Sequence, residues 1–530
     1  MAANTNRRVS ARATGVVGIA ILCSRILGLV REMVIASLFG ASRNLDAFLT
    51  AFRAPNMLRD LFAEGALSTA FVTTFAKKIE TEGDQSAWGL ANKIATLTTV
   101  FMSLVVLAGV WLAPFLVSIL APGFDPEKAA LTVTLARVMY PFILLVSLAA
   151  LVMGMLNAKH VFGVPAMASS FFNLGSIIGG VALAWWMDPN FGTRALVGLA
   201  MGTLVGGFLQ LAVQVPSLFK LDYVFRPDFS WRDPGVWKVL QLMGPAVIAA
   251  SAVQVNVLIN SIFASYLQDG AVSWLNIAFR LMQLPLGIFG VAVATVTLPL
   301  ISRSAAQGNK EEFRGALAHA LRLVMLLTIP SAIGLMILAG PIISLIYEHG
   351  RFTAAATQQT AGALQFYAIG LVGYASVKVL APAFYALDRR NLPMVVSLLS
   401  IGLNAGLNYV LTFRMGLGHR GLALSTSAIA MVNFLLLYAM MRRYAGKLET
   451  GALLTTLMKL LVAGAALGVV CWFGARYFFP DGVVQREWWK AVGVLTTVSA
   501  GALVFFVVAY FLRVAELQDL AGVLRKKLKR

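Results

Sequence analysis

Long apolar stretches follow one another along this 530-residue chain with little between them, and that succession constrains the fold more than any other feature. A helix needs about 20 mainly apolar residues to cross a bilayer, and about fourteen such runs can be read, from 14–39 and 45–76 through to 452–476 and 489–512. The connections are short and marked by Pro, Gly or Asp, as in Pro122-Gly123-Phe124-Asp125-Pro126. Inside a bilayer every backbone polar group has to be paired within its own segment, so the fold class is an all-α polytopic membrane protein. Charged residues make up 12% of the chain, against about 25% in soluble domains. So few charges cannot cover a water-facing surface, which excludes a soluble enzyme and a disordered chain. Cys23 and Cys471 both lie in apolar runs; they offer no disulfide framework and read as small core residues.

The polar tail before the first run (Arg7, Arg8, Arg12) leads into a full-length hydrophobic helix and not into a cleavable signal. An even number of spans puts both termini on one side. Lys and Arg concentrate in the connections on that side, as in Lys220, Arg226, Arg232 and Lys238, so both termini are expected in the cytoplasm. The formal charge of +20 is explained by that bias and not by nucleic acid. The stretch from Lys220 to Lys238 also carries Tyr223, Phe225, Phe229, Trp231 and Trp237, the composition of a segment lying at the membrane interface.

The chain repeats itself at a period near 227. Ala51-Phe52-Arg53 returns as Ala278-Phe279-Arg280, Leu61-Phe62 is echoed by Ile288-Phe289, Tyr140 by Tyr367, and Pro165 by Pro393. Six spans therefore recur in the same orientation, followed by two extra helices. Parallel repeats around a central cavity are a transporter architecture. The expected organisation is a cytoplasmic N-tail at 1–13, an N-lobe at 14–219, and a cytoplasmic interfacial linker at 220–238. A C-lobe at 239–444, two further spans at 445–513 and a basic cytoplasmic tail at 514–530 complete it. The spacings Gly175/Gly179, Gly198/Gly202/Gly206 and Gly402/Gly406 fit close helix packing.

Intramembrane charges cost about 2.5–3.5 kcal/mol each on insertion scales and mark functional sites by default. Arg25 and Arg31 fall in the first span, Arg53 and Arg59 in the second, Arg280 in the eighth and Lys378 in the tenth. The accompanying acids, Glu32, Asp46, Asp60 and Glu64, are all early, so the second repeat has cations and no membrane acid. A site for organic cations needs carboxylates. Arginine instead offers a planar fork of donors matched to phosphate, so the substrate is expected to be an anion such as a phosphate ester or pyrophosphate. Arg25, Arg59 and Arg280 lead this assignment, ahead of Arg53 and Lys378; ion-pair staples or interfacial anchors are the structural alternative. On a straight helix Asp46, Arg53, Asn56, Asp60 and Glu64 share a stripe that Arg59 avoids, but Pro55 can kink or rotate the turns beyond it. Which of Arg53 and Arg59 faces the cavity stays open from spacing alone.

There is no GxxxxGK[ST], HExxH or CxxC. The histidines His160, His319, His349 and His419 are scattered near connections and read as solvated surface residues. No cofactor, no metal site and no ATP are expected; transport would run on membrane potential or an ion gradient.

The runs Ser24-Arg25-Ile26-Leu27-Gly28-Leu29-Val30-Arg31-Glu32, Asp46-Ala47-Phe48, Pro55-Asn56-Met57-Leu58-Arg59 and Phe62-Ala63-Glu64-Gly65-Ala66 closely resemble the MurJ (MviN) family of lipid II flippases. So do Val272-Ser273-Trp274, Arg280 through Gly287, and Val377-Lys378-Val379-Leu380-Ala381-Pro382; the likeness runs from residue 14 to about 515. The resemblance implies the multidrug/oligosaccharidyl-lipid/polysaccharide exporter fold, with two six-helix lobes opening alternately and two terminal helices forming a groove for a lipid tail. It implies the undecaprenyl-pyrophosphate-linked peptidoglycan precursor as substrate, moved from the inner to the outer leaflet of the bacterial cytoplasmic membrane. Membrane lipids and other cell-wall synthesis proteins are the further partners it suggests. It maps the family's cavity arginines onto Arg25, Arg31, Arg59 and Arg280, its acids onto Asp46 and Glu64, and so favours Arg59 over Arg53. Asn56 and Ser273, within the matching motifs, join the substrate set, and Glu32 joins Asp46 and Glu64 as gating or ion-pair residues. Two departures stand out: Phe279 precedes Arg280 where many relatives have an acid or amide, and spans seven and eleven hold Asn and Gln where sodium-binding relatives use carboxylates. An exporter of another polyprenyl-linked glycan is the nearest rival. A drug or cation antiporter of the same fold lacks the acids it would need, and a membrane glycosyltransferase lacks clustered outward carboxylates.

Overall fold

The computed structural model describes residues 2–480 and 486–518, with the side chains of 2–14, 16, 63–66, 248, 249 and 252 outside the description. Among the described residues every regular element is helical, as a chain of bilayer-length apolar runs requires. The chain divides into two compact units, Met1–Val272 and Ser273–Arg530.

The first unit opens with α1 (Ala2–Phe39) and α2 (Arg43–Leu58), the latter started by Ser42, whose hydroxyl accepts the Leu45 N–H at 3.4 Å. Past Pro55 the helix changes its winding. Residues Arg59–Leu67 form a nine-residue π-helix before α3 (Ser68–Glu82) resumes α geometry. π-segments are rare and concentrate at functional sites. Next come α4 (Asp84–Leu120), α5 (Pro126–Met139), α6 (Phe142–Ala158), α7 (Gly163–Met187), α8 (Ala195–Ala212), the short α9 (Val215–Phe219) and α10 (Pro234–Ser265). The helix α10, read from sequence as the first of the C-lobe, lies in the first unit. Phe39, Phe48, Met139 and Tyr140 centre one core cluster, and Phe71, Phe75, Leu90 and Met155 a second.

The tightest packing is between α7 and α8. A Cβ on Gly202 would lie 2.1 Å from the Gly180 Cα, one on Gly198 2.5 Å from the Ala184 N, and one on Gly206 2.5 Å from the Phe172 O. No side chain fits there, which is the close approach that the small-residue spacings predicted. The same expectation fails for Gly402 and Gly406, where a Cβ would meet no atom within 4 Å.

The second unit contains α11 (Ala271–Pro285), a π-helix at Leu286–Gly290, α12 (Val291–Ala306), α13 (Lys310–Ile337), α14 (Ala339–Tyr347), α15 (Ala354–Ile369) and α16 (Leu371–Ala386). It continues with α17 (Asn391–Tyr409), a π-helix at Val410–Arg414, α18 (His419–Ala445), α19 (Thr450–Phe478) and α20 (Glu487–Phe511). Its elements begin where those of the first unit lead one to look. The π-helix at Leu286 starts 227 residues after that at Arg59; α13, α15, α17 and α18 start 226, 228, 228 and 224 residues after α4, α5, α7 and α8.

Among the described residues ten helices are long and apolar enough to cross a membrane, eleven when α15 and α16, bent by 42° at Gly370, are taken as one span. The sequence expectation was fourteen. Three helical stretches fall outside the set. The apolar start of α1 lies partly outside the described side chains, charge interrupts the run α2 to α3 (Arg53, Arg59, Asp60), and the described apolar part of α10 is the shorter Val253–Ser265. Large apolar side chains such as Trp111, Trp186 and Phe511, each more than three-quarters exposed, belong against lipid. The protein is a multi-pass membrane protein.

Candidate anion-binding site

In the first unit α1, α2 and the π-helix that follows it carry Arg25, Arg31, Arg53 and Arg59 in mainly apolar surroundings. On α1, Arg25 is exposed and Arg31 half-buried, its guanidinium 5.1 Å from the centre of the Phe172 ring. On α2, Arg53 is half-buried and donates through Nη1 to the Ser261 hydroxyl of α10. The π-turn begins at Arg59, whose Nη2 and Nε lie 2.9 and 3.2 Å from the same Asp60 oxygen, while the Asn56 amide reaches the other at 3.5 Å. Pro55 has no N–H to continue the ladder, and the winding changes four residues later, so a straight-helix wheel fails beyond it. The stripe that set Arg59 apart from Asn56 and Asp60 is replaced by one half-buried cluster of all three.

Asp46 goes elsewhere. It is fully buried at the opposite end of α2, thirteen residues or about 20 Å along the axis from Arg59. Its Oδ2 accepts the Gly270 N–H at 2.7 Å and lies 3.3 Å from the Lys128 Nζ. Lys128, only 3% exposed, also holds Asp269 at 2.8 Å and stands 4.1 Å from the centre of the Phe124 ring. Beside it, Arg43 forks onto both oxygens of Asp125 and reaches Glu127 at 3.3 Å. The Arg43 hydrogen bonds, with the Lys128 backbone N–H, pull the Asp125 carboxyl down to about 2. These six charged side chains tie α2, α5 and the turn before α11 together at one end of the unit.

Glu32 is half-buried on α1; the Glu64 side chain lies outside the described residues. In the second unit Arg280 and Lys378 are exposed and Ser273 is buried. Phe279, the departure from the family pattern, packs edge-on against Tyr367 at 5.3 Å. His419 is buried, its Nε2 3.0 Å from the Gln359 carbonyl oxygen and its ring 5.0 Å from Trp274, contrary to the surface reading. Cys23 is exposed where a core position was expected; Cys471 is buried. Among the described residues no group of three or more His, Cys, Asp and Glu side chains could hold a metal ion.

Spacing did not reveal the partners of these arginines. Nor did it single out Lys128, which lies in the first turn of α5, started by Asp125-Pro126 with Asp125 accepting the Glu127 and Lys128 N–H groups at 3.2 and 3.1 Å. Asn173, which donates to the Ser24 carbonyl next to Arg25, gave no signal at all.

At the opposite end, the connection 220–233 is laid along α4. Tyr223 donates to the Asn92 side-chain oxygen Oδ1 at 2.8 Å, which also accepts the Arg226 N–H, and the Asp228 N–H reaches the Thr96 hydroxyl at 3.0 Å. Burial pushes the Tyr223 phenol up to about 12. Burial also opposes ionisation of Asp233, but the Lys93 ammonium and the Gly235 N–H outweigh it and hold its carboxyl below the usual range. Phe225, Phe229, Trp231 and Trp237 are all exposed.

A sequence model of the family described as lipid II flippase MurJ matches residues 35–493. The chain is 38% identical over 428 residues to the lipid II flippase MurJ of Burkholderia cenocepacia, covering 80% of this chain and 82% of that one. It is 31% identical over 515 residues to the probable lipid II flippase MurJ of Buchnera aphidicola subsp. Schizaphis graminum, covering 96% and 98%. Among solved structures, a lipid II flippase MurJ in an inward closed conformation superposes with a TM-score of 0.76 at 24% identity, covering 95% of this chain and 99% of that one. An inward-facing multidrug resistance MATE family transporter of the MOP superfamily superposes at 0.66 with 15% identity, covering 81% and 96%.

Proposed function

The chain belongs to the lipid II flippase MurJ family, a family of transporters and not of enzymes, and from that premise we propose how it moves lipid II from the inner to the outer leaflet of the cytoplasmic membrane. The observation that carries the reading is the set Arg25, Arg31, Arg53 and Arg59 on α1, α2 and the π-helix that follows it, all in one unit. Guanidinium forks suit the substrate's pyrophosphate, and Arg280 and Lys378 add cations from the second half of the chain. Asn56 and Ser273 complete the substrate set, and Asp46, Glu64 and Glu32 serve as gating or ion-pair residues. Of these, Asp46 has the placement of a latch: its bonds to Lys128 and Gly270 close one end of the first unit. Alternating access carries the charged head group past the hydrocarbon, where an ionised phosphate is prohibitively costly, while the polyprenyl tail stays in lipid along the groove of α19 and α20. No ATP or cofactor takes part; membrane potential or an ion gradient supplies the driving force.

Fourteen crossings in two six-helix repeats suit this reading. The ten apolar helices and the bent pair are joined by α10 and by the two charged runs, α1 and α2 through α3, whose charges are those the substrate needs. The recurrence of element starts at 224–228 residues supports the repeat. Both termini then lie in the cytoplasm; the expected outward loop at Asp481 is outside the described residues. The test is rescue of bacteria depleted of their own lipid II flippase. The native chain restores lipid II export, and Arg25→Ala, Arg59→Ala and Arg280→Ala each abolish it at normal membrane levels. Export by all three properly inserted variants would remove the arginines from the substrate site.

A further inference from the structure

The helix that carries Arg25 and Arg31 packs chiefly against α7 along that part of its length. Among the described side chains of residues 15–35 only Ala20 is buried. The rotation of this helix matters, because turning it by one residue, about 100°, would swing both guanidiniums away from any site they serve. Two contacts from α7 supply the fixing. The Asn173 Nδ2 donates to the Ser24 carbonyl at 3.1 Å, one residue before Arg25, while also bonding the Ser169 carbonyl of its own helix at 3.1 Å. Neighbouring Phe172 lies under the Arg31 guanidinium and is braced from below by Phe142, 5.5 Å between ring centres.

The platform behind these two residues is rigid. Phe172 itself takes part in the glycine seam with α8, where Gly206 lies against its carbonyl and ring and against Ser176. Asn173 is buried with few ways to turn, and its amide is spent on a carbonyl that already serves the α1 helix. Burying an amide in a membrane-spanning helix is costly unless its bond is worth having.

We propose that Asn173 and Phe172 are positioning residues of lipid II binding: they set the rotation of α1 and thereby aim Arg25 and Arg31 at the pyrophosphate. The proposal rests on the reading of those arginines as phosphate-binding groups. Purified full-length variants are titrated with lipid II, and Arg25→Gln, Asn173→Leu and the double variant are compared. Loss of one neutral hydrogen bond predicts about fivefold weaker binding for Asn173→Leu, and Arg25→Gln weakens it more. In the double variant Asn173→Leu costs less than it does in the native background, since part of its effect runs through Arg25 and only the rest through Arg31. Phe172→Leu with Arg31→Gln gives the same pattern and serves where Asn173→Leu does not reach the membrane. Additive losses, or unchanged binding in Asn173→Leu and Phe172→Leu while the arginine variants fail, overturn the positioning role. Unchanged binding in Arg25→Gln and Arg31→Gln overturns instead the assignment of the arginines.

Discussion

Replacing Lys128 by Met keeps the length and apolar stem of the side chain and removes its charge. The ammonium sits 3.3 Å from Asp46 and 2.8 Å from Asp269, with the lysine 3% exposed and Asp46 fully buried. Loss of one member of a buried pair costs about 3–5 kcal/mol, because the remaining charge has no water to turn to. Asp46 keeps the Gly270 N–H at 2.7 Å, which moderates the loss, so about 3 kcal/mol is the expected figure for Lys128→Met. The pair Lys128→Met with Asp46→Asn removes both charges and keeps an acceptor for Gly270; it should recover most of that loss. Unfolding of the purified protein in mixed micelles over a denaturant series measures all four members of the cycle. Were Lys128→Met as stable as the native chain, or the double variant as poor as the two losses added, the buried pair would not be what closes this end of the unit.

At the neighbouring pair, Arg43 holds the Asp125 carboxyl at about 2 against an ordinary 3.8. A depressed acid contributes stability above its unfolded value and loses it as pH falls. Asp125→Asn is therefore less stable than the native chain at pH 6, and the gap closes between about pH 4 and pH 2; thermal melts across that range check it, and a gap unchanged at pH 2 would contradict it. In the α7–α8 seam, Gly202→Leu forces a side chain onto the Gly180 backbone and abolishes accumulation in the membrane, whereas Gly402→Ala, open to at least 4 Å, leaves it unchanged; immunoblots of membrane fractions compare the two.

What the sequence showed was whatever depends on period and composition. The all-helical, multi-pass character, the offset at which element starts recur and the glycine seam at Gly198, Gly202 and Gly206 arise from patterns local to one helix or recurring at one spacing. Gly402 and Gly406 have the same spacing and no close neighbour, because a small-residue stripe states that a helix can approach and not that one does. The arginines were legible for the same local reason, as charges in apolar runs. Their partners were not. Asp46 bonds Gly270, 224 residues away, and Asn173 reaches Ser24 across 149; such pairings are set by tertiary packing, to which spacing is blind. His419 read as solvated for lying near a connection, yet the turn that precedes it folds it against Trp274. The winding change at Arg59 shows the middle case: Pro55 announced a disturbance, and only the fold decided that it would be a π-turn.

The longest connection between spans is usually the first place chosen for cutting a membrane protein in two or for splicing in a reporter, on the assumption that it is slack. Here the assumption fails at residues 220–233, since Tyr223, Arg226 and Asp228 spend side-chain or backbone bonds on α4 and Lys93 holds Asp233. A fluorescent domain inserted there would have to peel a strap from a helix. The turn at Gln307-Gly308-Asn309 is exposed, and Gly308 has a positive φ of 69° and no neighbour for a Cβ. That turn, although shorter, is the better place for a tag or a split junction.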